Sequence, residues 1–308
     1  MMRKGHPNLS EKGMALVVTL LVTAVLVVLI TEIVYAVHNY TSMTALFVDS
    51  QKASLLASGA VEREVISLSA LTRDMKYTYL TEEAMKKESA EEGVRIGIAL
   101  EDEQGKISLN SLVSKEGKLN QPGYDMYQRF LSSLGLDKDL ADAVVDWIDA
   151  DGSPLQDGAE SSDYYSVLDR PYNAKNGKLD SIEELLLVKG YTIDVYKRLK
   201  PFITVSTDGK VNVNTAPKEV IMALASDITE EMADTLIEER DKKPFASTAE
   251  VRNVPGFGSM PVGFENSITV KSNTMRIRSK AASGDIFREI DAVVRLGDKP
   301  ITLYWRER

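Results

Sequence analysis

The feature that most constrains this chain lies near its N-terminus, where the 17 residues from Met14 to Ile30 carry no charge. As a helix, this apolar run would rise about 26 Å at roughly 1.5 Å per residue. The hydrocarbon core of a bilayer is about 30 Å thick, and the apolar character continues to Val37 with Glu32 as its one charge. We therefore predict a membrane-spanning helix over residues 14–37.

Basic residues lie on one side of this segment. Arg3, Lys4 and Lys12 precede it, and the next Lys or Arg is Lys52. The positive-inside rule then places the N-terminus in the cytoplasm and the rest of the chain across the membrane. No convincing small-x-small cleavage site follows the apolar run, so a secretory signal that is removed whole is disfavoured. An ordinary single-pass anchor is the simplest alternative.

The helical pattern extends well past the predicted membrane segment. Apolar residues recur at roughly helical spacing as far as about Leu71. Neither Pro nor Gly occurs from Met14 to Ser58. The sequence therefore predicts one long helix whose first half lies in lipid and whose second half packs on a soluble domain.

The composition excludes several kinds of site. The chain has no cysteine, which rules out disulfides, thiolate metal sites and cysteine nucleophiles. Its two histidines, His6 and His38, flank the apolar run, so a histidine-based triad or zinc site is excluded from the soluble part. We find no pairing of nucleophile and base, and predict that the chain is not an enzyme. A calcium-dependent hydrolase, one alternative, has no readable nucleophile.

The residues around the start of the apolar run, EKG followed by MALVV, resemble the leader of type IV pilins and type II secretion pseudopilins. The resemblance implies that prepilin peptidase cuts after Gly13 and that Met14 becomes the methylated N-terminus. Most members carry a glutamate at the fifth mature position, which is Val18 here. A carboxylate buried among apolar helices is costly unless paired, in that family with a neighbouring subunit. Val18 therefore points to a subunit at the filament tip.

Strand patterns occur at both ends of the soluble part, with helical patterns between them. Alternating apolar residues predict a hairpin over Val94–Leu112, with its turn at Gln104-Gly105. Residues 82–92 are predicted as a charged loop or helix end, and 267–305 as three strands. Amphipathic periodicity predicts helices over 124–136, 137–149, 217–224, 230–240 and 247–252, two more between 179 and 202, and a short strand at 203–206. The predicted N-caps are Asp137, Ser181 and Thr215.

This order of elements resembles the minor pseudopilin K family of type II secretion. The passages that carry the resemblance are DWIDADGSP, GAESSDYY, LDSIEELLLVKG, VNVNTAP and the C-terminal strand with Trp305. The implied fold class is α+β, an antiparallel pseudopilin sheet interrupted by a helical domain of two SAM-like units. The implied division is 1–13 leader, 14–37 membrane helix, 38–90 periplasmic helix and linker, 91–112 first part of the sheet, 113–206 first helical unit, 207–262 second helical unit and 263–308 C-terminal strands.

An acidic loop, residues 149–163, is the strongest candidate for a binding site. Between Asp137 and Asp163 there are nine carboxylates and one basic residue, and calcium prefers six to eight hard oxygen ligands in a flexible cage. The spacing is not that of an EF-hand, and a solvated loop is the alternative on the residues alone. The resemblance implies a structural calcium ion. Its first candidate ligands are Asp149, Asp151 and Glu160, followed by Gln156, Asp163 and Asn176.

A second passage, VNVNTAP through NVPGFG, resembles helix-hairpin-helix DNA-binding proteins of the competence type. The hairpin position, 226–231, has no glycine pair, and nine acidic residues face five basic ones between Val211 and Met260. Phosphate would be repelled. Together with the net charge of −9, this predicts no nucleic-acid partner. A membrane-tethered DNA receptor is nevertheless an alternative function, as is a minor pilin of a type IV pilus.

The resemblance to pseudopilin K implies an assembly function. The chain would cap the tip of the type II secretion pseudopilus, and help to initiate it, in the inner membrane of a Gram-negative bacterium with its soluble domain in the periplasm. The implied partners are the minor pseudopilins of the I and J types, the major pseudopilin, prepilin peptidase and inner-membrane lipid.

Overall fold

The computed structural model describes residues 9–81, 85–91, 93–162, 164–261 and 263–308. The α-helices are α1 (Leu9–Asp74), α2 (Gln121–Ser133), α3 (Leu140–Ile148), α4 (Ile193–Leu199), α5 (Lys218–Ala223) and α6 (Glu230–Lys242). The strands are β1 (Lys86–Glu91), β2 (Val94–Asp102), β3 (Ile107–Ser108), β4 (Ile203–Thr204), β5 (Val211–Asn212), β6 (Ile268–Thr269), β7 (Thr274–Ser283), β8 (Ile286–Arg295) and β9 (Ile301–Glu307).

Helix α1 runs unbroken for 66 residues, or roughly 100 Å at 1.5 Å per residue. Among the described residues it is the one helix long and apolar enough to cross a membrane, and its most apolar window is fully exposed. The predicted continuation of the helix to about Leu71 is confirmed. Beyond Asp49 one face of α1 is buried, and its residues recur every three or four positions: Ala53, Ala57, Ala60, Val61, Glu64 and Leu68.

This buried face packs on an antiparallel sheet of order β1-β2-β7-β8-β9. The turn between β7 and β8 is tied to the helix, because Ser283 Oγ donates to Asp49 Oδ1 at 2.8 Å and Arg288 Nη2 donates to Ser50 Oγ at 2.6 Å. The three strands predicted near the C-terminus are confirmed as β7, β8 and β9. Between helix and sheet lies a core that includes Ile98, Leu100, Ile277, Ile290, Ala292 and Val294.

Strand β1 overturns the prediction of a charged loop or helix end at 82–92. It pairs with β2, placing Lys86 opposite Ala99. The prediction is wrong because the sequence KKESAE has no apolar alternation to mark a strand. At the edge of a sheet, backbone hydrogen bonds to one neighbour hold a strand with little side-chain burial. The lysines and glutamates also make this edge a poor template for a further strand.

The predicted hairpin over Val94–Leu112 is also wrong. Strand β2 pairs with β1 and β7, and the residues after Asp102 leave the sheet. Strand β3 pairs in parallel with β4 instead, so that Ile107 and Leu109 are buried in the helical part of the chain. A hairpin with β2 and a parallel pair with β4 both bury Ile107 and Leu109 in the same alternation. The sequence pattern therefore does not show which strand is the partner.

The residues between β2 and β7 form a helical part with its own core. The predicted helices correspond to α2 through α6, except that two are short 3₁₀ turns at Ile182–Leu187 and Thr248–Asn253. Among the described residues, the largest fully buried side chains lie in this part and include Tyr127, Phe130, Tyr165, Leu185, Leu199, Ile221 and Phe257.

Of the three predicted N-caps, Ser181 is confirmed, since its backbone N–H donates to Glu184 in a capping box. Asp137 is not the cap of α3, which Asp139 precedes. Asp137 instead accepts from Asp139 N at 3.0 Å and forms the turn before the helix. Thr215 is not the cap of α5 either, because its hydroxyl is used elsewhere, at the junction with the sheet.

That junction is built on the buried carboxylate of Asp102, at the end of β2. Ser272 Oγ and Thr215 Oγ1 each donate to it at 2.5 Å, Asn212 Nδ2 donates at 3.0 Å, and Gln104 N donates at 2.8 Å. Burial raises the pKa of Asp102, and the hydrogen bonds partly offset that rise. The chain leaves the sheet after Asp102 and returns to it at Thr274. The Asp102 side chain therefore joins the two points at which the chain passes between the sheet and the helical part.

The next residue, Glu103, ties the same two parts together by charge. Lys106 Nζ and Arg276 Nε donate to Glu103 Oε1 at 2.8 and 2.9 Å, and Thr204 Oγ1 donates to Oε2. Burial alone would raise the pKa of Glu103, but the charges of Lys106 and Arg276 outweigh it and lower the pKa to about 2. Because Arg276 lies on β7 and Thr204 on β4, this carboxylate links the sheet to the helical part.

Candidate functional site

Helix α3 presents two carboxylates, one turn apart, to the acidic loop. Asp146 accepts hydrogen bonds from Leu155 N, at 3.1 Å to Oδ1, and from Ala159 N, at 2.7 Å to Oδ2. Asp142 Oδ2 accepts from Asp157 N at 3.1 Å. The spacing of four residues places both carboxylates on one face of α3, and the backbone of the loop folds around them.

The loop approaches Asp146 so closely that residue 158 must be glycine. A Cβ at this position would lie 1.7 Å from Asp146 Oδ2. On the other side, Lys189 Nζ donates to the carbonyls of Gly158 at 2.8 Å and Asp157 at 3.2 Å. The same ammonium lies 5.5 Å from the centre of the Tyr164 ring. The loop is therefore held between the carboxylates of α3 and one lysine.

Three carboxylates of the loop converge in this fold. Asp149, Asp151 and Glu160 each place an oxygen so that the three atoms lie within 4.8 Å of one another. Asp149 and Glu160 are 8% and 2% exposed, whereas Asp151 is open to solvent. The Oδ1 atom of Asp149 is buried and has no hydrogen-bond partner within the part of the chain that the structure describes.

This convergence raises carboxyl pKa values. Burial, together with the charges of Asp151 and Glu160, raises the pKa of Asp149 to about 6. Burial also raises the pKa of Asp146 to about 6, although hydrogen bonds from the loop backbone oppose the rise. A carboxyl group whose pKa is raised by folding contributes to stability at pH values below its pKa in the unfolded chain. That contribution is lost as the pH rises through the folded-state pKa of about 6. At neutral pH the ionised carboxylates therefore cost stability, which a bound cation would restore.

The donors brought together fit calcium. They are hard carboxylate oxygens, the ligand type that calcium prefers, and one of them is buried without a hydrogen-bond partner among the described residues. The structure brings together the three first-ranked candidates, Asp149, Asp151 and Glu160. Gln156 is exposed in the same loop. Asn176 is exposed in a later segment with a φ of 50°, and Asp163 lies outside the described residues.

Sequence reasoning missed the residues that shape the loop, namely Asp142, Asp146 and Lys189. The available signal was the spacing of two acidic residues by four in LADAVVDWI, a helix that is otherwise apolar. All residues from Ala141 to Ile148 are buried, so these carboxylates are not part of a solvated face. Lys189 gives no such signal, because its partners are carbonyls rather than acidic side chains.

The VNVNTAP passage has a structural use. Asn212 donates to Asp102, as described above. Asn214 Oδ1 accepts from Phe245 N at 2.9 Å, and its Nδ2 donates to Phe245 O at 3.0 Å. Both asparagines are buried. Their polar groups are thus used within the chain, which gives the passage a physical reason independent of phosphate binding.

The contact between Gly158 and Asp146 predicts a stability change. Gly158→Ala forces the loop away from Asp146, and we expect it to lower the free energy of unfolding by about 2–3 kcal/mol. Urea unfolding of the full chain in detergent measures this. The control is Gly177→Ala, where the added Cβ would meet its nearest atom, Lys175 O, at 3.8 Å. Equal effects of the two substitutions would contradict the assigned packing of the loop.

Comparison with known proteins gives a consistent result. Two family models, both described as type II secretion system protein K, match residues 105–208 and 211–271, which together make up more than half of the chain. The chain is 33% identical to type II secretion system protein K of Pseudomonas aeruginosa over 164 residues, covering 51% of this chain and 48% of that protein. The matched stretch thus spans about half the length of that relative.

Other relatives are matched over most of their length. The chain is 28% identical over 301 residues to type II secretion system protein K of Pectobacterium carotovorum, covering 89% of each protein. In fold it resembles a chain of the GspK-GspI-GspJ complex from the type 2 secretion system of enterotoxigenic Escherichia coli, with a TM-score of 0.74 at 19% identity over 86% of this chain and 99% of that one. The predicted α+β pseudopilin-like fold is confirmed, and the chain belongs to the type II secretion system protein K family.

Proposed function

We propose that this chain is the minor pseudopilin that caps the tip of the type II secretion pseudopilus and helps to initiate it. The observation that carries the proposal is the placement of the helical part, which is inserted between β2 and β7 beside the sheet that packs on α1. A filament of stacked subunits has little room for such a volume in its interior. At the tip nothing lies above the subunit, and the volume itself would block further addition.

The N-terminal helix supports the same position. Val18 stands where most members of the pilin family carry a glutamate, and it is exposed on α1. An apolar residue needs no charged partner from a subunit above it. Small residues of the apolar run, such as Ala15 and Ala24, allow close lateral approach of other helices within the bilayer.

Outside the membrane, α1 has an exposed face opposite the sheet that fits the same lateral packing. Leu55 and Ile66 are 72% and 70% exposed, and they lie on one side of the helix with Gly59 between them. A Cβ at Gly59 would meet no heavy atom of the described chain within 4 Å. Glycine inside a helix costs about 1 kcal/mol relative to alanine, and nothing within the described chain explains it.

The proposed occupants of this face are helices of the minor pseudopilins of the I and J types, since the similar chain from Escherichia coli comes from a complex with GspI and GspJ. The major pseudopilin, prepilin peptidase and inner-membrane lipid are proposed as further partners. With the N-terminus in the cytoplasm, as the basic residues before Met14 suggest, the soluble part would lie in the periplasm.

Substitution of Gly59 tests the assembly function. Gly59→Ala should raise the stability of the chain by up to about 1 kcal/mol, and Gly59→Leu should leave the fold intact but reduce co-purification with the I- and J-type subunits from membranes at least about fivefold. Ser67→Leu, which adds the same side chain at an exposed position near the edge of this face, is the control. Wild-type recovery of both partners by Gly59→Leu would remove this face from the interface.

Calcium is the proposed structural ligand of the acidic loop, held by Asp149, Asp151 and Glu160. Gln156, Asp163 and Asn176 are candidates for the remaining positions. The bound ion would supply positive charge where three carboxylates converge and would stabilise the folded loop by binding only to it. The role is structural, in keeping with a chain proposed to work by assembly and not by catalysis.

Thermal unfolding of the full chain in detergent tests the calcium proposal. Adding calcium after chelation should raise the Tm by several degrees, as expected for a ligand in large excess over its Kd. Asp149→Asn should abolish most of that rise, whereas Asp169→Asn, at an exposed position outside the loop, should keep it. An unchanged wild-type Tm would mean that the loop is only a charged surface.

Processing at Gly13 and Met14 is the remaining proposal, and it rests on the leader-like sequence. The protein purified from membranes should begin at Met14 and carry one N-terminal methyl group, as mass spectrometry can determine. Gly13→Lys should block cleavage and leave residues 1–13 attached, whereas Gly5→Ala should have no effect on processing. A mature chain that begins before Met14, or after about Ala36, would overturn the assignment.

A further inference from the structure

The acidic loop is held in place by charged side chains that are not among the converging carboxylates. Asp146 accepts from Leu155 N and Ala159 N, and Asp142 accepts from Asp157 N. These three amides alternate along the loop, so its backbone is fixed at every second residue. Hydrogen bonds to an ionised group are shorter and stronger than neutral ones.

The side chains of Asp142 and Asp146 are themselves held in place by neighbouring residues. Asp142 Oδ1 accepts from the hydroxyl of Tyr124, and that hydroxyl accepts in turn from Gln128 Nε2 at 2.8 Å. Both of these partners lie on α2, so the side chain that holds Asp157 is oriented from a second helix. Asp146 is fully buried in α3.

Lys189 contacts the backbone of the acidic loop on the side opposite α3. Its ammonium donates to the carbonyls of Asp157 and Gly158 and lies over the ring of Tyr164. Its own backbone N–H donates to Tyr165 Oη at 3.1 Å. The lysine thus joins the second half of the loop to the aromatic residues that follow it.

We propose that Asp142, Asp146 and Lys189 are positioning residues that fold the acidic loop before any cation binds, so that the cation completes a preformed site. The inference rests on the proposed calcium site. It goes beyond that site because it assigns the conformation of the loop to contacts with α3 and Lys189, and not to the bound metal. A loop of this charge without such supports would open when the cation leaves, since its carboxylates repel one another.

Hydrogen exchange tests whether the loop is folded before a cation binds. It is measured on the full chain in detergent and chelator, by mass spectrometry at single-amide resolution. We expect the amides of Leu155, Asp157 and Ala159 to be protected without calcium. Asp146→Asn should speed exchange at Leu155 and Ala159 at least about tenfold and leave Asp157 protected. Unprotected amides in the wild type that become protected only with calcium would overturn the proposal.

Asp142→Asn is the matched variant, because it removes the acceptor of a different amide on the same helix. It should expose Asp157 and spare Leu155 and Ala159. If both variants expose all three amides equally, the loop unfolds as a unit and the separate positioning roles are wrong.

Terbium, a luminescent substitute for calcium, distinguishes positioning from direct coordination. Asp146→Asn should weaken terbium binding about tenfold or more without changing the number of bound waters, which luminescence lifetimes in H₂O and D₂O count. One additional water would identify Asp146 as a ligand and overturn its positioning role. A wild-type chain that binds neither terbium nor calcium would overturn the calcium site itself, and the exchange experiment would then decide alone whether the loop is preformed.

Substitution of Lys189 tests the proposal, because a positioning role and simple charge repulsion predict opposite changes in cation affinity. Coulomb's law alone predicts that removing a positive charge near the site strengthens cation binding. If Lys189 supports the loop, Lys189→Met should instead weaken terbium binding severalfold, and Lys189→Arg should retain it. Lys178→Met, at an exposed position, controls for net charge. Tighter or unchanged binding by Lys189→Met would exclude the positioning role.

Discussion

The rest of the structure depends on two adjacent buried carboxylates, Asp102 and Glu103, at the point where the chain leaves the sheet. A buried carboxylate is costly without hydrogen bonds or opposite charge. Here the donors come from both sides, Ser272 and Arg276 from the returning chain and Thr215 from the helical part. The helical part therefore cannot separate from the sheet without leaving charges unpaired, and it is presented in a fixed relation to α1.

Such a junction suits a subunit that ends a filament. The sheet packs on one face of the long helix, the opposite face is exposed for the proposed lateral contacts, and the helical part is attached to the sheet through buried polar contacts. The acidic loop lies wholly within the helical part, where the Asp142 and Asp146 carboxylates hold it. A cation there would stabilise the helical part without being needed to attach it to the sheet.

Regular periodicity made most of the fold predictable from the sequence. The long helix, α2 through α6 and the three C-terminal strands follow from apolar spacing, and the acidic loop follows from its composition. The KKESAE strand could not be found, because edge pairing leaves no pattern in the side chains. The sequence predicts a hairpin for the segment of Ile107 and Leu109, because its actual partner, β4, lies about a hundred residues away in the chain. The signal for Asp142 and Asp146 in the sequence is limited to their spacing of four within an otherwise apolar helix, because the residue type alone does not distinguish a buried carboxylate from a solvated one.

The position of this chain in the assembled pseudopilus tests the central claim most directly. Arg308 directly follows β9 and is exposed, so a short tag added after it can carry a gold label for electron microscopy of pseudopili isolated from the membrane. We expect one label per filament, always at the same end. Labels distributed along the filament, or absent from both ends, would contradict the proposal that this subunit caps the tip.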